Sequence, residues 1–112
     1  MNVREYLSHD GSSPFQTWFN KLDPQAAAKI RVAIARLELG NTSNIKWFSG
    51  IGEYKINWGA GYRIYLLQDG KQLIILLGGG TKKTQPADIN RAKILAQEYK
   101  QRKKSGDSPG EP

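Results

Sequence analysis

The chain of 112 residues has no cysteine, one histidine and one methionine. Without thiols there is no disulfide, no thiolate metal ligand and no cysteine nucleophile. The lone histidine, His9, stands in a Ser-His-Asp-Gly turn and reads as a solvated turn residue. No H-E-x-x-H, no paired-carboxylate cluster and no other metal-ligand spacing is present, so metal-assisted cleavage is not expected. Long apolar runs are also missing: Leu73 to Leu77 falls far short of the ~20 residues that span a bilayer. The opening MNVREYLSHDG has no apolar core of signal-peptide length. The expectation is a soluble cytoplasmic protein with no membrane span, no metal and no small-molecule cofactor.

Acid is scarce relative to base. Seventeen Lys and Arg against ten Asp and Glu leave a formal charge of +7, which favours a polyanionic partner, nucleic acid or an acidic protein. Part of the excess sits in one C-terminal stretch, Arg91, Lys93, Lys100, Arg102, Lys103 and Lys104, opposed there only by Glu98, and is also what a solvated helix end would carry.

The chain length suits one domain, expected over 1–104, with the Gly, Ser and Pro of 105–112 as a disordered tail. Asn2 to Leu7 passes for an opening strand. Ser13-Pro14 and Asp23-Pro24 each combine an N-cap with a proline at the first helical position. Phe15, Trp18, Phe19 and Leu22 follow the first at helical spacing, and Ala27, Ile30, Ile34 and Leu37 follow the second as far as Gly40. From Ile45 the period becomes two, through Lys46-Trp47-Phe48 and then Glu53 to Trp58, as in a half-buried strand; Gly59-Ala60-Gly61 turns the chain into Tyr62 to Leu67, and Asp69-Gly70 leads into Leu73 to Leu77, a three-strand antiparallel meander. That last strand, apolar on both faces, should be central or covered twice. A helix after Pro86 carries Ile89, Ala92, Ala96 and Tyr99. The expected class is α+β, in the order β-α-α-β-β-β-α, an antiparallel sheet with an N-terminal helical hairpin and a C-terminal helix.

Alternation puts Tyr54, Ile56 and Trp58 on one side of the meander and Glu53, Lys55 and Asn57 on the other, with Arg63 and Tyr65 beside the second set. If the aliphatic set meets the helices, Lys55, Arg63 and Tyr65 face an open side, where Lys82 and Lys83 arrive from the last strand. The alternative is routine pairing of Arg63 and Lys55 with Glu53 or Asp69. Trp47, Trp58, Tyr62 and Tyr65 interleave with these cations as on single-stranded RNA surfaces, although at least two of the four should lie in the core. The stretch GGGTKKT fails the nucleotide-binding pattern G-x-x-x-x-G-K-[ST], because Thr81 replaces its second glycine. RNA can be cleaved without a metal if its 2′-hydroxyl attacks the adjacent phosphate while cations take the developing charge, with a lysine or Tyr65 as proton acceptor.

The segment GIGEYKINWGAGYRIYLLQDGKQLIILLGGGTKKTQPADINRAK resembles the RelE/ParE superfamily of bacterial toxins, within it the HigB-like addiction module killer proteins. Its most specific parts are Gly61-Tyr62-Arg63-Ile64-Tyr65, the run from Gly79 to Gln85, and Asp88 to Lys93. The resemblance implies a toxin of a type II toxin-antitoxin pair. It would be a ribosome-dependent mRNA endoribonuclease, neutralised by a cognate antitoxin of helix-turn-helix type, with ribosome and mRNA as its other partners. Arg63 matches the catalytic-type arginine, Lys55 the basic position of the preceding strand, and Lys82 with Lys83 the basic pair after the glycines. Thr81 stands where relatives usually show aspartate, and the final-helix tyrosine would fall at Asp88 or Ile89, leaving Tyr65 as its substitute. The expected catalytic set is Arg63, Lys55, Lys82 and Tyr65; the expected RNA contacts are Lys46, Trp58, Tyr62, Lys83 and Gln85. As an open-face residue, Arg63 should contribute little to stability. Two other functions fit the sequence: a ParE-like gyrase inhibitor and a non-catalytic basic RNA-binding module.

Overall fold

A computed structural model describes residues 1–106. In chain order it contains β1 (Asn2–Glu5), α1 (Pro14–Phe19), α2 (Pro24–Glu38), β2 (Ile45–Phe48), β3 (Ile51–Lys55), β4 (Arg63–Asp69), β5 (Leu73–Gly80), a 3-10 turn (Lys82–Thr84) and α3 (Gln85–Lys104). The class is α+β. Both helix starts form as their chemistry dictates: the Ser13 side chain accepts from the Gln16 amide at 3.0 Å and Asp23 from the Ala26 amide at 2.9 Å. Gly40, at φ +88°, follows α2 in the left-handed conformation that frees a helix end.

The five strands lie in the order β1-β5-β4-β3-β2. Two features depart from the expected sheet. First, it is mixed: β1 runs parallel to β5, Asn2 opposite Leu73 and Glu5 opposite Leu76, while the other pairs are antiparallel. Second, Ile45–Phe48 is a strand of its own, giving four consecutive antiparallel strands where three were expected. Ser49 and Gly50, both at positive φ, form the two-residue connection between Phe48 and its partner Ile51. Strand β3 ends at Lys55, three residues before Trp58.

Each face of the sheet has its own core. On one side Phe15, Ile30, Ala33 and Leu37 of the helical hairpin pack on Tyr54, Ile64, Leu66, Ile74 and Leu76. On the other, Ala92, Ala96 and Tyr99 of α3 pack on Tyr65, Leu67, Ile75 and Leu77. The surface expected to be open is therefore roofed by α3. Strand β5, between β1 and β4 with α1 over one face and α3 over the other, is covered twice as its composition required. Ser105 caps α3, its amide donating to the carbonyls of Gln101 and Arg102, so the expected tail begins as a helix cap; 107–112 lie outside the described residues.

Candidate nucleic-acid interface

Strand register sets the candidate site in two rows on the α3 face. Lys46 lies opposite Glu53 and Glu53 opposite Tyr65; one step along, Lys55 lies opposite Arg63 and Arg63 opposite Gly80. The 3-10 turn then supplies Lys82 and Lys83, with the Lys82 amide donating to Ala60 O at 3.3 Å. Lys46, Lys55, Lys82 and Lys83 are all exposed. Lys55, Lys82 and Lys83 form a cationic rim around the sheet end where α3 begins, while Lys46, one row in, leans toward the β2–β3 turn with its Nζ 5.9 Å from the Phe48 ring.

Beneath the rim lies a buried polar knot. Arg63 is 5% exposed, Glu53 8% and Tyr65 1%. Glu53 Oε2 accepts from the Tyr65 hydroxyl at 3.0 Å and from Gln85 Nε2 at 2.8 Å, and lies 3.5 Å from Arg63 Nε. Arg63 Nη1 donates to Gly61 O at 2.6 Å, tying the guanidinium to the β3–β4 turn. Its Nε is buried without a hydrogen bond, since the contact with Glu53 is an ion pair rather than an aligned bond.

These contacts correct three assignments. Arg63 is not an open-face arginine: α3 covers that side, and its guanidinium pairs with Glu53, the alternative that the sequence also allowed. Tyr65 is unsuited to accept a proton. Burial first and the Glu53 hydrogen bond second raise its pKa far above the tyrosine value, so it stays a donor. Gln85, expected on RNA, spends its amide on Glu53 and locks the first turn of α3 onto β3. Glu53, the hub of the knot, enters the sequence reading only as a pairing alternative for Arg63 and Lys55. Its only signal is that it is the single acid in the alternating Glu53-Tyr54-Lys55, among bases on the same face.

The aromatic residues part company with the rim. Trp58 and Tyr62 stack at 6.0 Å in the β3–β4 connection, Tyr62 packs on the hairpin-side core, and Lys29 of α2 sits 5.7 Å from the Trp58 ring. Both rings are half-buried and Trp47 is 46% exposed, so only Tyr65 of the four is in the core, fewer than expected.

The glycine run has a packing cause. A Cβ on Gly79 would come within 2.4–2.6 Å of the Trp18 ring, and one on Gly80 within 1.8 Å of Asp88 Oδ2. Glycine at these positions lets α1 and α3 touch the β5 backbone from opposite sides. Asp88 accepts from the Thr84 hydroxyl and lies 3.8 Å from Arg91 Nη1, bracing the turn that carries Lys82 and Lys83. Next to Gly78, β5 bulges: Tyr65 pairs with Gly78 but Leu66 with Leu76, leaving Leu77 as the extra residue. Around this end of β5 an open groove of about 520 Å³ runs between Trp18 and Lys21 on one side and Asp88 and Arg91 on the other.

Among the described residues, no group of three or more His, Cys, Asp or Glu could hold a metal, and no helix is long and apolar enough to cross a membrane. No family model matches the chain. A Haemophilus influenzae protein described as an uncharacterized protein is 49% identical over 86 residues, which cover 75% of this chain and 87% of that one. Similarity of that degree over that span places both chains in one family, to which this protein belongs.

Proposed function

We propose that the protein is the toxin of a type II toxin-antitoxin pair, of RelE/ParE type and HigB-like, acting as a metal-independent, ribosome-dependent mRNA endoribonuclease. The observation that carries this reading is the gathering of exposed Lys55, Lys82 and Lys83, from β3 and the 3-10 turn, around one end of the sheet. Lysines spaced along such a rim suit successive phosphates of a single strand. The sequence resemblance and the order of elements, with the helical hairpin and the final helix on opposite faces, support the same assignment.

In this mechanism the 2′-hydroxyl oxygen attacks the adjacent phosphorus and the bond to the 5′-oxygen breaks, leaving a cyclic phosphate and a 5′-hydroxyl. Lys55 and Lys82 hold the phosphate in line and neutralise charge on its non-bridging oxygens. Arg63 is a positioning residue: it fixes the β3–β4 turn through Gly61 and adds a buried positive charge beneath Lys55. With Tyr65 committed to Glu53, a rim lysine in its amine form takes the 2′-hydroxyl proton and a protonated one gives a proton to the departing 5′-oxygen. The antitoxin, of helix-turn-helix type, would neutralise the toxin in the cytoplasm.

Induced expression followed by mapping of mRNA 5′ ends tests this, with a gyrase supercoiling assay alongside. New 5′-hydroxyl ends within translated mRNA, lost in the Lys55→Ala, Lys82→Ala double variant, are expected. Inhibited supercoiling with intact mRNA would transfer the assignment to a gyrase inhibitor. Ribosome binding without either effect would leave a non-catalytic RNA-binding module.

A further inference from the structure

Helix α2 has two apolar stripes, and only one is used. Ala26, Ala27, Ile30, Ala33 and Leu37 are buried against the sheet. On the opposite side Ala28, Val32 and Ala35, together with Leu39 in the C-cap that follows Glu38, are all exposed, Val32 to 49% and Leu39 to 79%. Their spacing of four, three and four residues is that of alternating d and a positions in a heptad, the seam along which two helices interlock. The alanines at d leave room for a close helix-helix approach, and the larger Val32 and Leu39 at a supply the knobs. An amphipathic helix needs one apolar face to hold it to its own sheet. A second, regularly spaced face turned to solvent is unexplained by this fold.

The flanks of the seam specify its partner. Positions e and g are Lys29, Arg31, Arg36 and Glu38, three bases and one acid. Lys29 and Arg31 are held in place as cations over aromatic rings, Lys29 5.7 Å from Trp58 and Arg31 5.1 Å from Phe19. A second copy of the chain fits badly. Parallel α2 helices would set Arg31 against Arg36, a contact that penalises pairing, and antiparallel ones would set Lys29 against Arg36, a repulsion that their Arg31–Glu38 contact only offsets, so neither arrangement gains from its flanks. A foreign helix with acidic residues beside its own apolar seam meets no such penalty.

We infer that the outer face of α2 is a docking site for an acidic amphipathic helix of a partner protein, seated along Ala28, Val32, Ala35 and Leu39 between Lys29, Arg31 and Arg36. The site lies on the opposite side of the sheet from the cationic rim and does not depend on the endoribonuclease reading. A partner can therefore hold the protein there without covering Lys55 or Lys82.

The test uses the full chain and two synthetic helical peptides with leucine at a and alanine at d, one with glutamate and the other with lysine at every e and g. Fluorescence anisotropy of the labelled glutamate peptide should show saturable binding, weakened at least tenfold by Leu39→Glu or by Val32→Glu, and the lysine peptide should not bind. Both substitutions lie on the exposed face, and circular dichroism of the variants checks that they fold. Failure of the glutamate peptide to bind, equal binding of both peptides, or binding unchanged in both variants would overturn the inference. So would sedimentation of the chain alone as a dimer that Leu39→Glu dissociates, which would assign the seam to self-association. Loss of mRNA cleavage in the Lys55→Ala, Lys82→Ala variant leaves every one of these readouts unchanged.

Discussion

The Tyr65 hydroxyl donates to Glu53 Oε2 at 3.0 Å across adjacent strands, and the same carboxylate oxygen lies 3.5 Å from Arg63 Nε. One buried acid thus holds a phenol, an amide and a guanidinium below an exposed ring of lysines. Its removal is felt through the fold before it is felt in chemistry.

Arg63→Ala should therefore destabilise the protein by roughly 3–5 kcal/mol, because it leaves the Glu53 charge buried with only neutral donors. An exposed arginine would have cost about half a kcal/mol or less. Urea denaturation of the parent, Arg63→Ala and an Arg63→Ala, Glu53→Gln double variant checks this. The double variant should recover part of the loss, and a single variant as stable as the parent would refute the buried-pair account.

The three glycines at the end of β5 should respond differently to alanine. Gly79→Ala drives a methyl into the Trp18 ring and Gly80→Ala drives one into Asp88, and each should cost about 1–3 kcal/mol through forced displacement. A methyl on Gly78 would meet nothing within 4 Å, and the backbone there has no positive φ, so Gly78→Ala should change stability by about half a kcal/mol or less. Thermal melts of the three variants decide the matter; equal losses at all three sites would contradict the packing explanation.

Alkaline pH should weaken the fold through Tyr65 and Tyr99. Burial, reinforced by Glu53 for Tyr65 and by Asp69 for Tyr99, raises both pKa values above the ordinary 10.0. The unfolded chain releases these protons near pH 10 while the folded chain keeps them. Their stabilisation is complete below the unfolded value of 10.0 and declines as pH rises toward the folded values. Tyr65→Phe and Tyr99→Phe should each flatten the fall in denaturation midpoint between about pH 9 and pH 11.

Acid should act through Asp69, whose carboxyl is held below its usual range by hydrogen bonds from Lys103 first and Tyr99 second. A depressed carboxylate stabilises above the unfolded value of 3.8 and loses that contribution as pH falls through the folded one. Asp69→Asn should be less stable than the parent at neutral pH and should converge on it in acid, as urea midpoints measured across the acid range will show.

Binding of single-stranded RNA should weaken with salt, the logarithm of the association constant falling by roughly 0.7 per contacted phosphate for each logarithmic unit of salt. Lys55→Ala and Lys82→Ala should each reduce that slope by about one contact. An affinity that ignores ionic strength would remove the lysine rim from consideration as the docking surface.

Local chemistry makes the helix starts at Ser13-Pro14 and Asp23-Pro24 legible, and with them the Asp69-Gly70 hairpin, because each signal lies within a few residues of its effect. The side assignments of the meander are legible too: Tyr54 and Ile64 pack on the hairpin side, Glu53 and Tyr65 on the other. What alternation does not show is that this second side is closed. Ala92, Ala96 and Tyr99 need a surface to cover, and the face bearing Tyr65 and Leu67 is the one left. The β2–β3 connection escapes notice because Ser49-Gly50 is a weaker turn signal than Asn-Gly or Asp-Gly. The parallel pairing of β1 leaves no local trace, since parallel neighbours carry no shared turn.

That pairing also orders events during synthesis. The partners of Asn2 to Glu5 are Leu73 to Leu76, so the first strand translated must wait for one of the last before it has an edge to join. Contacts so distant along the chain close late and slowly. The four antiparallel strands can assemble from neighbouring segments, and β1 is expected to dock onto them afterwards. Until then the β5 edge it covers stays free, which makes the interval between emergence of β5 and docking of β1 the period in which the nascent chain is most open to capture by another strand.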